Sequence, residues 1–492
     1  MGAALTGGSS GTGRPGGPAL DRHGRAYRDL SLWFDQLATA GPDGAADPLV
    51  PRPALDAPTE ADVVVVGAGL TGLWTAYHLT EADPSLDVVV VDQEIAGYGA
   101  SGRNGGWCSA LFPVSAEAIA RRHGAPAAAS LRAAMRDTVV EVAATAAAEG
   151  VACDVAVGGT ISLARSRPQL ARAHAEARAA RRWGDEVEVW DAHETRERLA
   201  ATDVLGAMWS PDCVRVQPAR LVRGLARVVE ERGVRIHERT PVTHVAPHVV
   251  LAGGHAVRAR HVVLATEAWG ARLPVRGRVP VSGRGIAPVY SLMVATEPLP
   301  PDVWDGIGLR RGETFSDLRH LVVYGQRTAD DRLAFGGRGA PYHWRSSVRP
   351  GHDRHDGVHA AIVRTLREML PQVRDAAITH RWGGPLGVRR DWAPSVGLDP
   401  ATGIAWAGGY VGDGVATTHL AGRTLADLLR GRRTALTRLP WVGHQGRRWE
   451  PEPWRWLGVR AGLAATVLAD AEERATGRPS TVARLMAPLL GH

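Results

Sequence analysis

The sequence predicts an α/β fold in two parts, and three observations near its start carry that prediction. Val63 to Val66 is a short β-branched run, the composition of a strand buried on both faces of a parallel sheet. Gly67, Gly69 and Gly72 follow directly as G-x-G-x-x-G and open the helix LTGLWTAYHLTEA. A second strand, LDVVVVD, ends in Asp92, twenty-five residues after Gly67. The spacing has a mechanical purpose. The first glycine makes a tight turn, the second lets a pyrophosphate reach the backbone, and the third lets the helix pack closely on the strand. The helix N-terminus offers unpaired N–H groups to the phosphates, and Asp92 suits both ribose hydroxyls. With 58 glycines in 492 residues the motif alone is weak, but strand, turn, helix, strand and acid together predict a Rossmann-type dinucleotide-binding domain.

Composition sets the bounds. A length of 492 residues exceeds one ordinary domain. Hydrophobic residues at 45% and charged residues at 22% exclude a largely disordered or fibrous chain. Three cysteines exclude a disulfide scaffold and lead us to expect no metal site. The net charge is +7, yet all 58 basic residues are arginines, spread among 51 acids, so no nucleic-acid partner is expected. No apolar run of about 18 residues occurs, hence no transmembrane segment is expected. The Gly/Ser/Pro-rich start lacks the apolar core of a secretory signal. The expected location is the cytoplasm.

The elements are expected in this order. Residues 1–26 have too little apolar content to order. An N-terminal arm, 27–57, holds helical spacing at Leu30, Trp33, Phe34 and Leu37. The dinucleotide-binding domain is discontinuous, with segments 58–115, 200–272 and 381–436. A second, α+β substrate domain on a mostly antiparallel sheet takes 116–199 and 273–380. Within it, the Ala/Arg-rich runs SLRAAMRDTVVEVAATAAAEG and SRPQLARAHAEARAARRWG are helical, and VACDVAVGGTISLARS reads as a pair of strands. APVYSLMVATE, HLVVYGQ and RLAFGGR are further strands. The Trp/Arg-rich tail, 437–492, is expected to be helical, with Trp454 and Trp456 packed on the body.

After Asp92 comes AGYGASGRNGGWCSALF, a loop of glycines and small polar residues where a nicotinamide enzyme would run into another helix. Such a loop can wrap a planar ring with backbone amides. VVVGAGLTGLWTAYHL, VVVVDQEIAGYGASGRNGG, VVLATEAW and WAGGYVGDGVATTHLAGRTLADLL occur in an order that resembles the FAD-dependent amine and amino-acid oxidoreductases of the D-amino-acid oxidase superfamily. The texture is most similar to the gamma-glutamylputrescine oxidase-like branch. The resemblance implies non-covalent FAD. It would place Ala68, Gly69, Leu70, Thr71 and Gly72 at the pyrophosphate and Asp92 at the ribose. Ser101, Arg103, Asn104 and Gly105 would line the pyrophosphate and flavin edge, Val242 would meet the adenine, and Thr266 would lie near the cofactor. Gly409, Tyr410, Gly412, Asp413 and Gly414 precede a helix whose amides can stabilise negative charge on reduced flavin. Gln93, Ala100, Gly106, Gly384 and Val415 complete the implied set.

The departures from that pattern are informative. The region RWGGPLGVRRDWAPSVG lacks the cysteine by which the sarcosine oxidase branch tethers its flavin; the cysteines present are Cys108, Cys153 and Cys213. The chain has no lysine to promote reaction with oxygen, which leaves Arg338, His343 or His419, or else an electron carrier as acceptor. The implied chemistry is oxidation of a C–N bond, with hydride transfer to flavin N5 and hydrolysis of the imine. No catalytic residue is assigned. Substrate-pocket candidates are Tyr324, Arg327, Arg338 and Trp382, with Trp107 as a second aromatic wall. Arginine suits a carboxylate because its fork donates two parallel hydrogen bonds. The alternatives are a non-catalytic FAD-binding subunit and a nicotinamide-linked dehydrogenase.

Overall fold

In a computed structural model, residues 19–39, 48–337, 339 and 342–490 are described. The expectation of disorder for residues 1–18 and the candidate Arg338 lie outside them.

Two eight-stranded sheets organise the chain. The first runs Ser395–Asp399, Ile404–Gly408, His255–Leu264, Thr59–Val66, Val88–Val91, Arg235–His237. Its inner pairings are parallel and its Ser395–Asp399 edge is antiparallel. The hairpin Val242–Ala246 and Val249–Ala252 hangs on the long strand His255–Leu264. Val63 to Val66 and Val88 to Val91 are buried without exception, as parallel strands covered on both faces must be. The helices Leu70–Ala82 and Gly414–Leu429 pack together on this sheet. Gly422 makes that contact possible, since a Cβ there would stand 2.7 Å from the Trp74 carbonyl carbon.

The second sheet runs Ile378–Val388, Ala287–Thr296, Leu333–Gly337, Val323–Arg327, Thr314–Asp317, Thr160–Ala164, Gly206–Ser210, Glu188–Asp191. Only the pairing of Thr314–Asp317 with Thr160–Ala164 is parallel. This is the mostly antiparallel sheet expected, but it divides the chain at other points. The helix Ala125–Ala148, expected in the second part, buries Leu131, Met135, Val139 and Val142 in the core of the first. Gly206–Ser210 and Ile378–Val388 extend the second sheet, although all of the former and residues 381–388 of the latter were expected in the first domain. Alternating burial does not say which sheet a strand joins; cross-strand partners decide that.

Two local expectations also change. Of the expected strand pair in 151–166, only Thr160–Ala164 forms, because Asp154 (φ 55°) and Gly159 (φ 72°) turn the backbone away. Residues 19–26 form a packed turn in which the buried Asp21 accepts from the amides of His23 and Arg25 at 2.9 Å each. In the tail, the helix Trp454–Thr476 docks through an ion pair of Glu473 with Arg172 (2.7 Å). Trp456 packs edge-on against Trp344, but Trp454 is 66% exposed rather than packed on the body. Among the described residues no helix is long and apolar enough to cross a membrane.

Candidate functional site

The glycine-rich turn is built from backbone contacts that tolerate nothing larger. Gly67 has φ 112°, and a Cβ on it would lie 2.5 Å from the Ala265 carbonyl oxygen. A Cβ on Gly72 would lie 2.0 Å from the Gly67 oxygen. At Gly69 it would stand 2.9 Å from Ser101 Oγ, the atom that accepts the Leu70 amide at 2.9 Å. The turn and the following loop are thereby fastened together.

Around this turn lies a cavity of about 590 Å³. Val242 and Thr243 line one end. Gly67, Gly69, Leu70, Thr71, Asp92 and Gln93 line the middle, with Ala100, Ser101 and Asn104 beside them. Thr266, Tyr410, Gly412, Gly414 and Val415 line the other end. The helices starting at Leu70 and Gly414 both begin on this cavity, and neither has an acid in its first turn. Two positive helix ends therefore meet one space, an arrangement suited to an anion.

Asp92 follows the strand Val88–Val91 and lines the same cavity. Its Oδ2 accepts the Ala68 amide at 2.7 Å and its Oδ1 the Glu94 amide at 2.9 Å. Burial pushes its carboxyl up to about 7 against the opposing pull of those two amides. Ala68, expected at the pyrophosphate, is therefore turned toward Asp92 and does not line the cavity. Gly72 likewise serves the helix–strand contact alone.

The loop after Ser101 is a built wall. The Asn104 side chain donates to the Ala100 and Ser101 carbonyls (3.2 and 2.9 Å) and accepts the Gly106 amide (2.8 Å). Phe34 presses on Gly102, Ser31 Oγ donates to the Gly102 carbonyl (3.1 Å), and Trp33 Nε1 donates to that of Asn104 (2.8 Å). The N-terminal arm thus buttresses the loop, a role its helical spacing did not reveal.

Several expected residues stand apart from the cavity. Arg103 is buried, bonded to Asp353 (2.7 Å) and to the Gly383 carbonyl (3.0 Å), with Gly384 beneath its guanidinium. Gly105 faces the Tyr324 ring and Gly106 the Gln326 amide. Gly409 turns its amide to Glu267, and Asp413 holds the N-cap position of the helix Gly414–Leu429 without lining the cavity. Tyr324 bonds Ser291 Oγ (2.9 Å) and meets Trp107 edge-on. Arg327 pairs with Asp331 (2.6 Å) and lies over the Trp304 ring. Trp382 is 2% exposed, donates to the Arg103 carbonyl (2.9 Å) and packs against Trp33. These are supports of the fold, because arginine and tryptophan find partners wherever the chain supplies a carboxylate or a carbonyl.

All three cysteines are buried and none lines the cavity, so it offers no thiol to a cofactor. His419 is enclosed by Trp74 and His78, behind the helix rather than in the cavity, and burial holds its imidazole well below the usual range. His343 stacks on His352 at 3.4 Å; burial, then its histidine neighbour, hold it down to about 4. Both histidines line a second recess with Arg345 and Arg349. Arg272 borders this recess and the main cavity alike. Sequence reasoning missed Arg272, Arg345 and Arg349 because nothing in their spacing separates them from the other arginines. Glu267, which also lines the main cavity, was passed over inside LATEAW.

FAD fits the residues present. An elongated cavity offers an edge-strand end, a glycine cradle, a carboxylate and two helix starts, which suits an adenine, a pyrophosphate, a ribose and a second, larger ring. The model of the family described as "DAO: FAD dependent oxidoreductase" matches residues 62–428. The chain is 31% identical over 424 residues to gamma-glutamylputrescine oxidoreductase of Escherichia coli (strain K12), covering 84% of this chain and 95% of that protein. It is 28% identical over 388 residues to a glycine oxidase of Bacillus licheniformis, covering 75% and 93%. The crystal structure of glycine oxidase from Geobacillus kaustophilus superposes with a TM-score of 0.65 at 23% identity, over 79% of this chain and all of that one, which supports the fold.

Proposed function

The chain belongs to the family of FAD-dependent oxidoreductases, and on that premise we propose that it oxidises the C–N bond of a small amine or amino acid bearing an anionic group. The observation that carries this reading is a shared wall. Arg272 borders both the cavity suited to FAD and a recess lined by two further arginines. No ion pair involves Arg272, Arg345 or Arg349 among the described residues, so all three remain available to a carboxylate.

When bound, FAD would supply the two-electron acceptor for the oxidation of the carbon that carries the amine. The protein supplies the rest. The Gly67–Gly72 turn and Asp92 fix the dinucleotide, and the wall at Ser101 and Asn104 limits where a ring can lie. Leu386 and Val348 give the ring end an apolar border that excludes water. The arginines hold the substrate's anionic end and so orient its amine. His343, neutral at pH 7, adds no charge and lines the recess as a hydrogen-bonding ring. The amine must be uncharged when it reacts, and the imine formed hydrolyses in water. The gamma-glutamylputrescine oxidoreductase and glycine oxidase relatives, by their names, act on molecules that carry both an amine and a carboxylate, which supports this class.

The test is anaerobic bleaching of the yellow protein by D-amino acids, N-methyl amino acids, γ-glutamyl polyamines and plain polyamines. A carboxylate-bearing amine is expected to bleach the flavin fastest. Repeating the assay with oxygen and with a dye separates an oxidase from a dehydrogenase. Bleaching by dithionite but by none of the amines would refute the proposal and favour a non-catalytic FAD subunit.

A further inference from the structure

A buried carboxylate stands at the Tyr410 end of the cavity and takes no part in the chemistry above. Glu267 begins the turn after the central strand, with φ 43°, a left-handed conformation that side chains other than glycine and asparagine seldom adopt. Its Oε2 accepts the Gly409 amide at 2.8 Å and its Oε1 the Tyr410 amide at 3.3 Å; the Gly387 amide donates as well. Two glycines make room for it: a Cβ on Gly387 or on Gly408 would lie 2.7 Å from a carboxylate oxygen. Gly387 belongs to the second sheet and Gly408 to the first. One side chain therefore joins both sheets to the loop that opens the helix Gly414–Leu429. Three N–H donors around a single side chain call for an acceptor on each oxygen, which a carboxylate has and an amide lacks.

Resting on the FAD reading, we propose that Glu267 is a positioning residue that holds the Gly408–Gly414 loop in place against the flavin ring and, when ionised, sets a negative charge beside it. Such a charge opposes electron uptake and lowers the flavin potential. The other polar groups near it are few. Arg272 lies on the same turn, the Tyr410 hydroxyl bonds Thr71 (3.1 Å), and Arg389 lays its stem on Gly409 while its guanidinium faces Asp391 at 3.6 Å. Burial pushes the Glu267 carboxyl up to about 7 in the FAD-free protein, so the charge is tested at higher pH.

Three measurements on Glu267→Gln, each beside the wild type, decide the matter. The first is amide exchange at Gly409 and Tyr410 in FAD-free protein, expected to quicken at least about tenfold because one donor loses its acceptor. The second is the Kd for FAD, expected to rise at least about tenfold. The third is the midpoint potential at pH 8.5, expected to rise by about 30 mV, a tenfold preference for reduced flavin in a two-electron couple. Unchanged exchange overturns the proposal. Faster exchange with an unchanged potential and Kd also overturns it, reducing Glu267 to a tie within the fold. Should the variant not fold, Gly408→Ala displaces the carboxylate without removing its charge; it is expected to weaken FAD binding without raising the potential, and unaltered FAD binding counts against the proposal. A wild type that takes up no FAD defeats the cofactor reading instead, and the exchange comparison alone then decides the tie.

Discussion

The glycine-rich turn and the second sheet answer differently to the same kind of reasoning. At the turn, residues chosen for backbone geometry converge on one cavity: Gly67, Gly69, Leu70, Thr71 and Asp92 all line it. In the second sheet, residues chosen for side-chain chemistry scatter. Tyr324 bonds a serine, Arg327 an aspartate, and Trp382 a backbone carbonyl. The contrast teaches that a site made of main chain leaves a readable signature, because only glycine satisfies close approach at fixed spacing. A site made of side chains does not, because an arginine is equally at home in an ion pair on any face.

The sharpest break of that contrast is at Gly72. Alanine there puts a Cβ 2.0 Å from a backbone oxygen that cannot move away freely, and is expected to cost about 3 kcal/mol or more and to abolish flavin retention. Thermal unfolding and the colour of the purified protein check it. Next comes Asp92→Ala, which removes the acceptor of two amides and of the proposed ribose. An increase of roughly ten- to a hundredfold in the Kd for FAD is expected, measured by flavin fluorescence.

Arg349→Ala sharpens the other side. If the recess holds the substrate's anionic end, KM rises about tenfold for carboxylate-bearing amines and stays level for polyamines without one. Equal effects on both would remove the recess from the account. Smallest is Arg327→Ala. Its pair with a half-exposed Asp331 is worth about 0–1 kcal/mol, and flavin binding and reduction are expected to be unaltered.

A pH series separates the regions as well. Asp92 and Glu267 both titrate near 7 in the folded FAD-free protein, raised from 3.8 and 4.5 by burial. Folded protein thus binds protons that unfolded protein has released. The contribution of these two groups to stability is greatest below about pH 4 and is lost as pH rises to about 7, by at most about 1.4 kcal/mol per pH unit for each group. Asp92→Asn and Glu267→Gln are each expected to flatten that slope in denaturant titrations, whereas Arg327→Ala leaves it in place.

Much of the fold was legible for physical reasons. Four-valine runs announce buried parallel strands, and the long Ala/Arg runs announce helices. Which sheet each segment joins was not legible. The helix Ala125–Ala148 has nearly uniform composition, and only packing showed that Val139 and Val142 face the first core. Within the site, Arg103 was misjudged because a buried arginine can serve Asp353 as well as a phosphate. Glu267 was invisible because its meaning lies in three amides distant in sequence from it.

The central claim is that the cavity at the glycine turn takes up FAD without a covalent bond. Titration of FAD into the flavin-free protein, followed by fluorescence, tests it most directly. Saturation is expected at one FAD per chain, weakened by Asp92→Ala and indifferent to Arg327→Ala. Absence of saturable binding, or equal weakening by both substitutions, would contradict it.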